Sequence, residues 1–176
     1  MSLVLFIGGA RAGKSTLALE LARRWASGVV FIATAEGRDD EMKARIAAHR
    51  EQRPEDWRTV EEPLELGAAL GSLADDEYAI VDCLTLWVAN LLERGDSEDE
   101  ILAEAERVAA LAAARQAPVI VITNEVGLGV VPATPLGRAY RDLLGGVNRA
   151  FAARSSNAYL VVAGRALTLA APEELP

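Results

Sequence analysis

Directly behind the apolar run Leu3 to Ile7 stands Gly8-Gly9-Ala10-Arg11-Ala12-Gly13-Lys14-Ser15, and directly after it begins a stretch of helical periodicity. The octapeptide matches G-x-x-x-x-G-K-[ST] in the strand-to-helix setting that a phosphate-binding P-loop requires. The residue types carry the chemistry. Gly8 and Gly13 permit backbone conformations that turn successive N–H groups toward one anion, and the following helix adds its positive N-terminal end. Lys14 is positioned to reach the β- and γ-phosphates of a nucleoside triphosphate, and the Ser15 hydroxyl to ligate a bridging Mg2+. Gly8, Gly9, Ala10, Arg11, Ala12, Gly13, Lys14 and Ser15 are therefore candidate nucleotide contacts.

A P-loop implies a parallel sheet, and the rest of the chain supplies one. Further strand-type runs fall at Val29 to Ala33, Tyr78 to Asp82, Val119 to Thr123 and Tyr159 to Ala163, with a weaker one at Ala166 to Leu169. Helical stretches lie between them at Lys14 to Trp25, Asp40 to Gln52, Pro63 to Leu73, Leu86 to Arg94, Glu98 to Arg115 and Leu136 to Ala153. Ser97 with Glu100 forms a capping box that marks the start of the fifth helix on its own. Such alternation predicts an α/β fold of the P-loop NTPase type, a mostly parallel sheet flanked by helices on both faces. Only Gly164 and Arg165 separate the last two runs, too few for a parallel crossover, so the C-terminus should be an antiparallel edge hairpin. With 176 residues, no repeat and no linker-like tract, a single domain over 1–176 is expected.

Composition narrows the function classes. A formal charge of -8 has the wrong sign for a general nucleic-acid backbone binder, so any anion site must be local. Cys83 is the only cysteine, which excludes an intramolecular disulfide and a Cys-rich zinc site and fits a reducing, cytoplasmic setting. No apolar run approaches the roughly 20 residues of a membrane span.

Two further residues invite chemistry. A P-loop needs an acidic partner for its metal, usually at the end of a neighbouring apolar strand, and Asp82 closes Ala79-Ile80-Val81-Asp82. Asp82 could equally cap the helix that follows. His49 is the only histidine. Met42, Ile46 and His49 fall on one helical stripe, which reads as a partly buried face. Arg45, Arg50 and Arg53 surround the same imidazole, which reads as a phosphate-facing patch. Both readings stand.

Four segments resemble one family, the bifunctional adenosylcobinamide kinase / adenosylcobinamide-phosphate guanylyltransferases of cobalamin biosynthesis. They are GGARAGKS at 8–15, FIATAEGRDDEMKARIAAHREQRPEDWRTVEEP at 31–63, VITNEVGLGVVP at 121–132 and RAYRDLLGGVNRAFAARSSNAYLVVAGR at 138–165. The resemblance implies a homotrimer that uses GTP, ATP and Mg2+ in two reactions on a corrinoid, adenosylcobinamide and its phosphate. Through the motif RI-x-x-H-R-x-x-R-P it implies that His49 is the histidine that becomes guanylylated. It further implies that Arg50, Glu51, Gln52 and Arg53 bind nucleotide phosphates, and that Ala33, Thr34, Ala35, Glu61 and Asp82 border the nucleotide. The family often carries Glu where this chain has Asp82, a shorter carboxylate. Trp57 to Glu61 is expected to fix the chain after the His49 helix. Asn124, Glu125 and the loop through Pro132 either shape the corrinoid side or serve as a turn into the next helix.

The competing reading is a monofunctional P-loop kinase of another small metabolite, in which His49 only contacts phosphate. A regulatory GTP-binding module is disfavoured, because Asn124 is followed by Glu125 and the guanine-specifying N-K-x-D pattern is absent.

Overall fold

The computed structural model describes residues 3–25 and 28–174, without the side chain of Arg45. Seven strands form one sheet: β1 (Leu3–Gly8), β2 (Val29–Ala33), β3 (Arg58–Glu61), β4 (Tyr78–Asp82), β5 (Val119–Asn124), β6 (Asn157–Val162) and β7 (Arg165–Leu169). Their order across the sheet is β3-β2-β4-β5-β1-β6-β7. Every pair is parallel except the terminal β6·β7 hairpin. The expected α/β architecture with an antiparallel C-terminal edge is the observed one.

Among the described residues six α-helices connect the strands: α1 (Lys14–Ala22), α2 (Asp40–Glu51), α3 (Leu66–Gly71), α4 (Leu84–Arg94), α5 (Glu98–Ala114) and α6 (Pro135–Arg154). The central strands are apolar on both faces, and successive side chains divide between two cores. On one side Leu3, Leu5, Ile32 and Val81 pack with α3, α4, α5 and α6 through Leu70, Trp87, Ile101, Leu144 and Phe151. On the other, Val4, Phe6, Phe31, Ile80 and Ile122 pack with Ala18, Leu19 and Ala22 of α1. Period-two alternation in β1 is thus what commits one strand to both layers. Trp87, fully buried, still satisfies its indole N–H by donating to the Leu64 carbonyl at 2.8 Å.

Local chemistry accounts for most helix ends. The Ser97/Glu100 capping box opens α5 as expected. Thr134 accepts from the Gly137 N–H and Pro135 occupies the first turn of α6. Pro63 is not helical: the Glu62 carboxylate accepts the Leu64 and Glu65 N–H groups, so α3 starts at Leu66. At the C-terminal end of α1, the turn through Trp25 tightens after Ala22, where Arg24 and Trp25 donate to carbonyls three residues back.

Two features depart from the expected pattern. Trp57 to Glu61 does more than hold the chain after α2, because Arg58–Glu61 is a parallel edge strand paired residue for residue with Val30–Ala33. Its sequence, RTVE, has one large apolar residue and a half-exposed face, so period-two hydrophobicity could not announce it. The hairpin turn lies one residue earlier than Gly164-Arg165. Ala163 (φ 51°) and Gly164 (φ 74°) are both left-handed, the geometry of a two-residue hairpin loop that follows the strand twist.

Candidate active site

Parallel register brings the C-terminal ends of the strands to one edge, where open α/β sheets bind ligands. Glu61 is opposite Ala33, and Ala33 opposite Asp82. Gly8 is opposite both Asn124 and Val161.

The P-loop leaves β1 at Gly8 and enters α1 at Gly13, whose φ of 99° suits glycine. Lys14 turns back over the loop and donates to the Gly8 and Gly9 carbonyls at 3.0 and 2.7 Å. Burial lowers the Lys14 pKa, while Cys83 and Asp82 act in the opposite sense. The loop is braced from outside. Gly164 in the hairpin turn donates its N–H to the Ala12 carbonyl at 2.8 Å, and its Cα is 3.0 Å from where a Cβ on Gly13 would stand. At the start of the loop, a Cβ on Gly8 would come within 2.3 Å of the Val161 carbonyl oxygen. Gly9, Ala10 and Arg11 are exposed along the loop, and Ala12 packs against the α1 core.

Asp82 and Ser15, 67 positions apart in the chain, meet: the Ser15 hydroxyl donates to Oδ2 at 3.0 Å. Of the two readings of Asp82, the helix cap is unsupported, since α4 begins after Cys83 with no side-chain cap. Burial raises the Asp82 pKa, and the Ser15 hydrogen bond with the charges of His49, Arg53 and Lys14 pulls it back down. A hydroxyl beside a carboxylate is an oxygen donor set suited to magnesium, which takes one or two protein oxygens and completes its shell with phosphate oxygens and water. Among the described residues no cluster of three His, Cys, Asp or Glu could hold a metal by itself.

Thr34 is fully buried and holds the corner beside this pair. Its hydroxyl donates to the Cys83 carbonyl at 2.7 Å and accepts the Cys83 N–H at 2.8 Å, while its own N–H bonds the Asp82 carbonyl. Asn90 ties Thr34 to Pro63 by donating to both carbonyls. Thr34 thus fixes where Asp82 points.

Ala33 and Ala35 open instead into a cleft of about 610 Å3, whose cationic members are Lys43, Arg50 and Arg53 and whose acidic members are Glu36 and Glu61. Arg53 lies over the Phe31 ring at 3.6 Å and donates to Thr59 Oγ1 at 3.2 Å. Its buried Nε has no partner among the described residues, and burial lowers its pKa. Arg50 pairs loosely with Glu61 at 3.8 Å. Glu51 and Gln52 sit at the exposed end of α2 outside the cleft lining, where the Gln52 carbonyl accepts from Arg23.

His49 is exposed in the last turn of α2, and no described side chain of that helix is buried. The core reading of the Met42, Ile46 and His49 stripe is therefore wrong, because α2 stands clear of both hydrophobic layers. The imidazole is nevertheless close enough for its charge to bear on Asp82. Lys43, Ile46 and Ala47 also line the cleft and were missed by motif reading. Their spacing with Arg50, one helical face over two turns, was the available signal.

A second cavity, about 450 Å3, opens between the β5 exit and α6, lined by Glu125, Gly127, Arg141, Gly145 and Arg149 among others. The Glu125 N–H donates to the Gly8 carbonyl at 3.1 Å, so this cavity adjoins the loop directly. Thr123 and Asn148, both buried, hold the strand exit: the Thr123 hydroxyl donates to Asn148 Oδ1 at 2.7 Å, and Asn148 Nδ2 to the Asn124 carbonyl at 3.0 Å.

The family described as cobinamide kinase / cobinamide phosphate guanyltransferase matches residues 4–169. The bifunctional adenosylcobalamin biosynthesis protein CobP of Pseudomonas aeruginosa is 45% identical over 168 residues, covering 94% of this chain and 95% of that protein. The bifunctional adenosylcobalamin biosynthesis protein CobU of Escherichia coli is 40% identical over 175 residues, covering 92% and 96%. Among solved structures, the RadB recombinase superposes with a TM-score of 0.52 at 19% identity, over 90% of this chain and 73% of that one, a likeness of fold alone.

Proposed function

The chain belongs to the cobinamide kinase / cobinamide phosphate guanyltransferase family, and from that membership together with the site geometry we propose that it performs both reactions on one domain spanning 1–176. It phosphorylates adenosylcobinamide and then transfers GMP from GTP to adenosylcobinamide phosphate, yielding adenosylcobinamide-GDP. A monofunctional kinase is not favoured, since its relatives are named as bifunctional.

The observation that carries this reading is a P-loop joined through the Ser15–Asp82 bond to the strand beside Ala33, where a cleft is walled by the helix that bears His49. In the kinase step Lys14 and the loop amides hold the β- and γ-phosphates of ATP or GTP while the acceptor hydroxyl takes the γ-phosphoryl group. Ser15 and Asp82 would hold Mg2+, which would neutralise charge on the transferring phosphates. In the transfer step a ring nitrogen of His49 attacks the α-phosphorus of GTP, the bond to the bridging oxygen breaks, and pyrophosphate leaves. Arg50 and Arg53 are placed to hold phosphate charge, and the unpartnered Arg53 Nε offers one further donor. The phosphate of adenosylcobinamide phosphate then displaces His49 and takes the GMP.

The enzyme is expected to work in the cytoplasm as a homotrimer. His49→Asn tests the covalent step, since it removes the nucleophilic nitrogen from an exposed position where stability should change by less than about 0.5 kcal/mol. With α-labelled GTP and Mg2+ the parent should retain acid-labile, base-stable label and the variant none. Cobinamide phosphorylation should persist in the variant. Transfer of GMP at the parent rate by a folded variant would refute the mechanism.

A further inference from the structure

Nucleotide and acceptor must both reach the P-loop, yet the two cavities at this edge of the sheet differ in character. The cleft on the β2 side sets Lys43, Arg50 and Arg53 against Glu36 and Glu61, an excess of one cation that suits phosphates. The cavity on the β5 side mixes Glu125 and Asp142 with Arg141 and Arg149, so its charges are balanced and its polar groups can donate and accept. Arg141 pairs with its neighbour Asp142 at 2.7 Å.

Beyond this cavity the chain exposes apolar side chains in one short segment. Leu128, Val130, Val131 and Leu136 are 81, 95, 61 and 72% exposed. The segment begins at Gly127 on the cavity wall and ends in the first turn of α6, whose later turns supply Arg141, Gly145 and Arg149. An apolar surface continuous with a polar cavity is the mark of a ligand that is itself amphipathic. The cavity wall meets the P-loop where the Glu125 N–H donates to the Gly8 carbonyl.

We propose that this face, the β5 exit with loop 126–134 and the outer side of α6, is the acceptor site for the corrinoid, the apolar segment meeting the macrocycle and the cavity receiving its amide-bearing arms. The assignment rests on the corrinoid reading above. Corrinoids fit it because a broad apolar ring rimmed by primary amides needs both kinds of surface at once. The terminal hydroxyl of one arm then reaches past Glu125 toward the γ-phosphate, while nucleotide occupies the cleft beside β2. This leaves the two substrates in separate cavities along the same edge of the sheet.

Two substitutions in the full-length protein separate this role from a structural one. Gly145 is exposed, helical and has nothing within 4 Å of an added Cβ, so Gly145→Leu fills the cavity without a clash and should not lower the melting temperature. Val130→Asp places a charge on the apolar segment. Each should raise the KM and Kd for cobinamide by about tenfold or more, with GTP affinity and corrinoid-independent incorporation of labelled GMP as parallel readouts that stay at the parent level. Unchanged cobinamide affinity in Gly145→Leu would overturn the proposal. So would a change in assembly mass with joint loss of GTP binding, which would assign the segment to a subunit contact. If the parent incorporates GMP yet neither binds nor phosphorylates cobinamide, the corrinoid reading itself fails.

Discussion

Replacing Gly8 by alanine tests the P-loop geometry at its root, because the added methyl carbon would stand 2.3 Å from the Val161 carbonyl oxygen. Carbon and carbonyl oxygen ordinarily approach to about 3.3 Å, so roughly 1 Å of movement is forced. The opposing atom is backbone, paired in the β1·β6 ladder, and it has no rotamer into which to retreat. Gly8 must yield instead, and its carbonyl is the acceptor for both Lys14 Nζ and the Glu125 N–H. Overpacking of this kind costs about 1–3 kcal/mol, which for a domain of this size lowers the melting temperature by roughly 2–12 °C. Displacing the phosphate cradle by about 1 Å costs on the order of 100-fold in rate. Phosphorylation and guanylyl transfer should fall together, since one loop serves both. Scanning calorimetry and the two initial rates are the assays. Parent-like melting with parent-like rates would refute the spacing of β1 against β6 and the argument built on it.

Lys14→Ala should abolish both half-reactions in a protein that still folds, measured by rates beside a circular dichroism spectrum, because the β/γ-phosphate charge contact is lost. Asp82→Asn should leave the melting temperature without metal unchanged or raised while magnesium-dependent turnover falls. The sign follows from burial: the raised folded pKa means that the benefit of a protonated Asp82 is complete below the ordinary 3.8 and lost as pH rises through the folded value. At neutral pH the charge is a burden without a cation, and a clear loss of metal-free stability would contradict this. The Cys83 thiol, pushed up to about 11 by burial and then by the Asp82 carboxylate, should resist alkylation at pH 8 when folded and react once unfolded in guanidinium. Rapid labelling of the native protein would show that the corner is open.

Patterns within a few residues of each other were legible without the fold. The P-loop, the capping box at Ser97, the short gap that forces an antiparallel hairpin and the apolar runs of the inner strands each depend on local backbone preference or on burial of one segment. The family resemblance rested on the same linear information. Arg58–Glu61 escaped because an edge strand with a solvated face carries no apolar alternation, and the pairing that defines it belongs to Val30–Ala33, 28 positions earlier. The buried stripe assigned to α2 failed for a related reason. Periodicity says which residues share a helix face, but only the packing says whether that face meets a core, and α2 meets neither.

What sequence alone determined is a triphosphate loop on a parallel sheet and the residue types able to work there. Tertiary structure decided their relations. The strand order β3-β2-β4-β5-β1-β6-β7 carries Asp82 on β4 to 3.0 Å from Ser15, sets the hairpin turn at Gly164 against Gly13, and leaves two separate cavities at the strand ends. None of these distances is encoded by spacing along the chain, because contacts between segments 67 or 151 positions apart arise only when the whole sheet closes its two cores at once.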